Sequence, residues 1–204
     1  MSIVSESLAD VRCELVRKER RDLLVLSHMA QALERMLKQP QVLAEERPWL
    51  HMSLEKKRRT HRVAIYQPEA LRIGGAFSFV GFVSQRSTVL EPELINEVAR
   101  VDQEMLVHIG SVPGLISYSS LELRPGLWYN LVLFQGAALK SHLRGMVTHR
   151  YAAYELAPSY YDWIRLHQGT LSGGLTRLRL HSTRYYMFAS TPSSAELTYT
   201  ETEL

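Results

Sequence analysis

Residues 112–134 have the sequence VPGLISYSSLELRPGLWYNLVLF, which predicts two strands joined by a tight hairpin. The first strand is expected from Leu115 to Leu123 and the second from Leu127 to Phe134. Pro125 and Gly126 lie between them and suit the two middle positions of a type II turn. This part of the chain therefore indicates an antiparallel sheet.

The segments on either side of the hairpin extend this prediction to a fold class. Residues 76–84 form a β-branched and aromatic run that is typical of a strand, and residues 88–109 have the apolar stripe of an amphipathic helix. After the hairpin, residues 136–158 are expected to be helical, and residues 160–171 and 175–189 extended. The order strand, helix, strand, strand, helix, strand predicts an α+β fold with a ferredoxin-like antiparallel sheet.

The rest of the chain is expected to be added to this domain. Residues 1–70 are predicted to be a helical N-terminal extension, residues 71–190 the ferredoxin-like domain and residues 191–204 a mobile tail. Within the extension, residues 5–38 have apolar stripes at helical spacing, whereas residues 39–70 are interrupted by prolines and are expected to be irregular connections and short helices.

A second copy of the chain is expected to complete the sheet. Two helices cover only one face of a ferredoxin-like sheet, and apolar residues occur on both faces of the predicted strands. Phe79, Val80, Leu131 and Val132 are the examples. We therefore expect a homodimer in which the partner covers the remaining face.

The composition restricts the class of protein. The chain has 204 residues, of which 46% are hydrophobic, and no apolar run approaches the roughly 20 residues that span a bilayer. Its N-terminus lacks the basic start and apolar block of a secretory signal, so we expect a globular cytoplasmic protein without membrane association. The single Cys13 excludes an intramolecular disulfide and a thiolate zinc cluster formed by one chain.

The net charge of +3 includes one dense basic run, residues 56–62, with the sequence KKRRTHR. This run is either a solvated turn or a surface for phosphates or an acidic partner. A nucleic-acid partner is not expected, because no aromatic residues interleave with the charges. The sequence also lacks a phosphate-binding glycine loop, a nucleophile elbow, a calcium loop and a dinucleotide fingerprint.

Residues 73–189 resemble the dimeric α+β barrel superfamily, and within it the antibiotic-biosynthesis-monooxygenase type of domain. The resemblance depends on FSFVGFV at 77–83, VPGLISY at 112–118, WYNLVLF at 128–134 and the helical segment with two histidines that follows. It implies a homodimer that binds a small molecule, and an activity among cofactor-independent oxygenases, haem-binding or haem-degrading enzymes, isomerases or proteins without activity. Fold alone does not select among them.

The chain departs from that family in length and in its histidines. A typical family domain is roughly half as long. Compared with haem-degrading members, His142 stands where they have a helix Trp, and their ligand His is replaced near Ala152. These two differences argue against haem without removing it as an alternative, in which His142, His149 or His167 would be the axial ligand.

His142 and His149 are candidate catalytic residues. They are seven residues apart, so on a helix they share a face at about 10 Å, too far for one metal ion to bind both. No metal is expected, and either residue can instead be a general base or an ordinary surface imidazole.

Trp128 and Asn130 alternate on a predicted strand and therefore share one face, while Tyr129 points to the other. A buried Asn needs a polar partner, which is a structural group or a ligand. In cofactor-independent oxygenases such an Asn holds an enolate or phenolate, so the resemblance implies a catalytic Asn130 with Trp128 orienting the substrate. Tyr118, on the paired strand, is a second candidate for substrate binding.

Arg165 and His167 are substrate-binding candidates because they project from one face of a predicted strand. With three further residues of the last strand they form either a polar patch for an anionic ligand or the solvent faces of two edge-like strands. Those three are Arg177, Arg179 and His181.

These observations predict a small-molecule-binding α+β barrel protein with an oxygenase-like activity that uses no cofactor. The haem-binding protein is one alternative. The other is a non-catalytic assembly subunit that binds a protein partner through residues 1–70.

Overall fold

The computed structural model describes residues 8–39, 48–55, 59–135, 145–173, 175–188 and 200–203. The helices are α1 (Leu8–Met36), α2 (Pro68–Ile73), α3 (Pro92–Ile109), α4 (Val147–Tyr151) and α5 (Ala157–Tyr160), with a π-helical turn at Ala152–Leu156. The strands are β1 (Trp49–Glu55), β2 (Arg59–Ile65), β3 (Phe77–Arg86), β4 (Leu115–Arg124), β5 (Leu127–Phe134), β6 (Tyr161–Ser172), β7 (Arg177–Met187) and β8 (Thr200–Glu203).

The strands in the described ranges form one antiparallel sheet in the order β1-β2-β4-β5-β3-β6-β7-β8, so the predicted α+β class is confirmed. The hairpin is confirmed as well. β4 pairs with β5, and Gly126 has φ 77°, the left-handed conformation that a type II turn requires at this position. The four strands assigned from sequence to a ferredoxin-like unit lie side by side in the order β4-β5-β3-β6.

One prediction about the N-terminal region is wrong. Residues 39–70 were expected to be irregular connections and short helices, but β1 and β2 lie within them and extend the sheet beyond β4. In the predicted tail, residues 200–203 form β8, which pairs with β7. Polar side chains explain why the two N-terminal strands were not predicted. The opening of β2, Arg59 to Arg62, is entirely polar and shows no apolar alternation.

Helix α1 covers one face of the sheet, here called the α1 face. Its residues Leu26, Met29 and Leu33 follow one helical stripe and are completely or almost completely buried. They belong to the same core cluster as Phe79 of β3 and Leu131 of β5. The face that we expected a second copy to cover is therefore covered by the chain's own N-terminal helix, which is continuous from Leu8 to Met36.

Helix α3 packs on the opposite face, here called the α3 face. Ile109, at its end, shares a smaller apolar cluster with Val80 and Val132. Arg62 of β2 also forms an ion pair with Asp102 of α3 at 3.1 Å. The middle of the sheet thus lies between two helical layers.

Helix α1 is long, but 11 of its 29 residues are charged. Within the described ranges, no helix combines the length and the hydropathy that a membrane-spanning segment needs.

Candidate binding groove

A groove of about 760 Å³ separates α1 from the end of the sheet formed by β1, β2 and β4. Its polar lining residues are basic or neutral: His28, Arg35, Gln39, His51, Ser53, Arg59 and His61. Its apolar lining residues are aliphatic or Met: Leu24, Val25, Ala32, Met36, Leu121 and Leu123. The groove thus has an apolar wall and a concentration of nitrogen donors.

Helix and strand periodicity position the polar groups of the groove. His28 and Arg35 are seven residues apart on α1, so both lie on the side of the helix that borders β1 and β2. On the strands, His51 and Ser53 alternate on the α1 face of β1, while Arg59 and His61 alternate on the same face of β2.

Two of the imidazole rings are fixed by neighbouring side chains. His51 stacks on the buried Trp49, with ring centroids 5.3 Å apart and ring planes within 2° of parallel. His61 is buried, and its Nε2 lies 2.8 Å from Oγ of Ser119 on β4. The strand side of the groove is therefore preorganised.

Arg35 and Arg59 bring positive charge to the groove from opposite sides, one from the helix and one from the sheet. No Asp or Glu occurs among the residues whose side chains the structure describes at the groove, and in the β1–β2 ladder the residue opposite Arg59 is Glu55. A carboxylate, sulfate or phosphate group placed here would meet cationic and neutral donors. Among all described residues, no three His, Cys, Asp or Glu side chains form a group that could hold a metal ion.

A second polar cluster lies beside the groove, buried between α1 and the centre of the sheet. Asp22 of α1 is fully buried, and its Oδ2 accepts from Nε of Arg165 at 2.6 Å and lies 2.9 Å from Nε2 of His167. Its Oδ1 accepts from Arg165 at 3.0 Å and from the Tyr129 hydroxyl at 2.9 Å. On the other side of the ring, His167 Nδ1 lies 3.0 Å from Oγ1 of Thr183.

This cluster fixes the ionisation state of Asp22. Burial alone raises the pKa of its carboxyl group, but the hydrogen bonds and charges of His167 and Arg165 outweigh burial and bring the pKa below its ordinary value. An ionised carboxylate only accepts hydrogen bonds, so the Nε2 of His167 donates to it. Asp22 therefore ties α1 to β5 and β6 through one buried anion.

Acidification is expected to weaken this attachment. A carboxyl group with a depressed pKa in the folded state stabilises the protein above its unfolded pKa, near 3.8, and that contribution is lost as the pH falls through the folded value. The free energy of unfolding of the native chain should therefore exceed that of Asp22→Asn by an amount that shrinks below about pH 4. Urea unfolding from neutral pH to about pH 2 measures this difference. A difference independent of pH would contradict the assignment.

The structure divides the predicted site residues between the two faces of the sheet. Arg165 and His167 belong to the buried cluster on the α1 face. Trp128, Tyr118 and Asn130 lie on the α3 face, where the Tyr118 hydroxyl donates to Asn130 Oδ1 at 2.9 Å. The six predicted residues that the structure describes therefore do not meet in one pocket.

His149 lies in α4, and burial lowers the pKa of its imidazole. His142 lies outside the described residues. On the α3 face, burial also raises the pKa values of Tyr118 and Tyr161, so both phenols stay protonated at neutral pH.

Neither version of the predicted polar patch at Arg165 and His167 matches the structure fully. Both residues are buried and held by Asp22, so they are not solvent-facing. Arg177, Arg179 and His181 of β7 are exposed, as the solvent-face alternative expected. The patch therefore does not form as one surface.

Most of the groove residues do not belong to a sequence pattern that predicts a binding site. His28, Arg35 and His51 belong to no motif, and Arg59 and His61 are notable in the sequence only as part of the basic run. A usable signal was the alternation of Trp49, His51 and Ser53 with aliphatic residues, which is typical of a strand.

Comparison of the chain with protein-family models, curated proteins and solved structures gave no significant match. The fold and the groove together define an α+β protein with a cationic, partly apolar cleft.

Proposed function

We propose that this protein binds a small amphipathic anion in the groove between α1 and the β1–β2 hairpin. The observation behind the proposal is the combination of two arginines, three histidines and an aliphatic wall in one cavity. Its volume of about 760 Å³ falls in the range of small-molecule sites, which are mostly apolar with a few polar groups that fix orientation.

The chemistry of the lining indicates how such a ligand would lie. Its anionic head would accept charge-assisted hydrogen bonds from Arg35 and Arg59, with further donors available at Ser53 and Gln39. Its apolar body would lie against the aliphatic wall. A carboxylate with a chain or ring system of modest size meets both requirements.

The oxygenase-like activity stays a prediction, and its candidate residues on β4 and β5 lie on the α3 face. It would use Asn130 beside Tyr118 and Trp128, with His149 as the base, since a lowered pKa keeps that imidazole neutral and able to accept a proton. The ferredoxin-like barrel description, the homodimer and the cytoplasmic location are likewise proposals.

Specific contacts argue against the two alternatives, the haem-binding protein and the assembly subunit. If His167 were the axial ligand of haem, the iron would have to displace Asp22 or Thr183 from its ring, because both ring nitrogens lie within hydrogen-bond distance of these residues. A protein partner bound through residues 1–70 would find the apolar stripe of α1 already packed on the sheet. We therefore favour the groove.

Replacing Arg35 and Arg59 together by Gln is expected to weaken binding of a dansyl-labelled undecanoate about tenfold or more, because a hydrogen bond to a charged group contributes about 1.5–3 kcal/mol. Fluorescence titration of the purified protein gives the Kd. The methyl ester of the same probe should bind more weakly to the native chain and be indifferent to the double substitution.

Arg177→Gln is the matched control, since Arg177 is exposed on β7 and does not line the groove. It should leave the Kd unchanged. Equal affinity of acid and ester for the native chain, or equal loss in the control and the double variant, would refute a cationic binding groove.

A further inference from the structure

Strand β1 is one edge of the sheet, and within the described ranges only β2 pairs with it. Three apolar side chains on its α3 face, Leu50, Met52 and Leu54, are 68%, 71% and 72% exposed. An edge strand with an exposed apolar row is a template for pairing with another strand, and proteins normally protect such edges with charges or proline. The residues from Trp49 to Leu54 include no Asp, Glu, Lys, Arg or Pro, and the only such residues beside them are Pro48 before the strand and Glu55 at its end.

The sequence of this edge favours a second copy of the chain as its partner. If β1 pairs antiparallel with a second β1 about Met52, then Met52 lies opposite the partner's Met52, and Leu50 lies opposite the partner's Leu54. The apolar row therefore meets an identical apolar row, which is the self-complementarity that a two-fold symmetric interface requires. The unpaired backbone groups of the edge would be satisfied at the same time.

The opposite edge of the sheet differs in this respect. β8 has the sequence Thr-Glu-Thr-Glu, which contains no apolar residue. Of the two edges of the described sheet, only β1 therefore carries an apolar row.

We infer that two copies of this chain associate through antiparallel pairing of their β1 strands, which joins their sheets into one. The interface is distinct from the α1 face, which the chain covers itself. The same pairing places the partner's His51 opposite Ser53, so the two grooves lie side by side across the two-fold axis.

The oligomeric state tests this interface. Light scattering after size exclusion should give twice the 23.4 kDa mass of one chain for the native protein. Met52→Lys should give the mass of one chain, because two lysines would face each other at the two-fold axis, and we expect the dimer Kd to rise at least about a hundredfold. Because Met52 is 71% exposed, the variant should fold, which circular dichroism can verify.

Val89→Lys is the matched control, because Val89 is 85% exposed and lies outside β1. It should remain a dimer. A native protein that is a monomer, or a Met52→Lys protein that remains a dimer, would overturn the inference. Binding of a monomer to lipid vesicles through this row would also overturn the inference, since the row would then face a lipid surface.

The register has its own test in a Cys13→Ser background, because Cys13 is exposed and is the only native cysteine. Met52→Cys should form a disulfide between two chains under mild oxidation, since the two residues lie directly opposite. Leu50→Cys should not, because the two copies would be about 13 Å apart along the strands. Efficient crosslinking of Leu50→Cys and none of Met52→Cys would contradict the proposed pairing.

Discussion

The Asp22→Ala protein is expected to lose about 3–5 kcal/mol of its free energy of unfolding, because the substitution leaves the guanidinium of Arg165 buried without its anion. The side chain of Arg165 is only 11% exposed, and both of its bonded nitrogens lie within 3.0 Å of Asp22. The same substitution removes the hydrogen-bond partners of Tyr129 and of His167 Nε2. A loss of this size approaches the whole stability of a small domain.

Urea unfolding followed by circular dichroism measures the effect, and Asp102→Ala provides its control. Asp102 also pairs with an arginine, Arg62, but both side chains are more than a third exposed. Such surface pairs contribute about 0–1 kcal/mol. Equal losses in the two variants would contradict the view that Asp22 holds α1 on the sheet.

The Gly169→Ala protein is expected to lose about 3 kcal/mol, because β6 has no room for a side chain at this position. A Cβ on Gly169 would overlap the backbone oxygen of Arg179 and lie 2.5 Å from Cε1 of the buried Phe79. The obstacle on one side is backbone in the paired strand β7, and on the other it is the core aromatic ring of β3. Neither can move without separating strands or repacking the core.

Gly145→Ala is the matched control for this prediction. A Cβ at Gly145 would meet no atom within 4 Å. Its free energy of unfolding, measured by thermal denaturation, should therefore stay within about 0.5 kcal/mol of that of the native protein. If the Gly169→Ala protein unfolded at the same temperature as the Gly145→Ala protein, the result would contradict the close packing of β6 between β3 and β7.

The parts of the fold that sequence predicted are those with local signals. The β4–β5 hairpin was predictable because Pro125 and Gly126 define a turn between two apolar segments. The predicted alternation of Trp128, Tyr129 and Asn130 is confirmed as well, with Tyr129 on the α1 face and the other two on the α3 face.

The parts that sequence missed depend on contacts between distant segments. Arg165 and His167 were predicted to share a face, which the pairing with β3 confirms. Their burial depends on Asp22, more than 140 residues earlier, and no local pattern reveals that pairing. The cover of the α1 face was missed for the same reason, since the stripe of α1 does not show which surface it contacts.

The groove could not be predicted from local sequence because it lies where α1, β1 and β2 meet. α1 was expected to be an extension, β1 and β2 were expected to be irregular, and the polar residues of the groove occur singly along all three. Only tertiary packing brings His28 and Arg35 opposite His51 and Arg59.

Photolabelling with a diazirine-bearing long-chain carboxylate tests the binding groove most directly, because it reports where the ligand lies. Mass spectrometry of the digested protein should find adducts within residues 24–39, 51–61 and 121–123, and the Arg35→Gln/Arg59→Gln protein should show far fewer. Adducts confined to the α3 face around Tyr118 and Asn130, or labelling undiminished in the double variant, would contradict the proposed site.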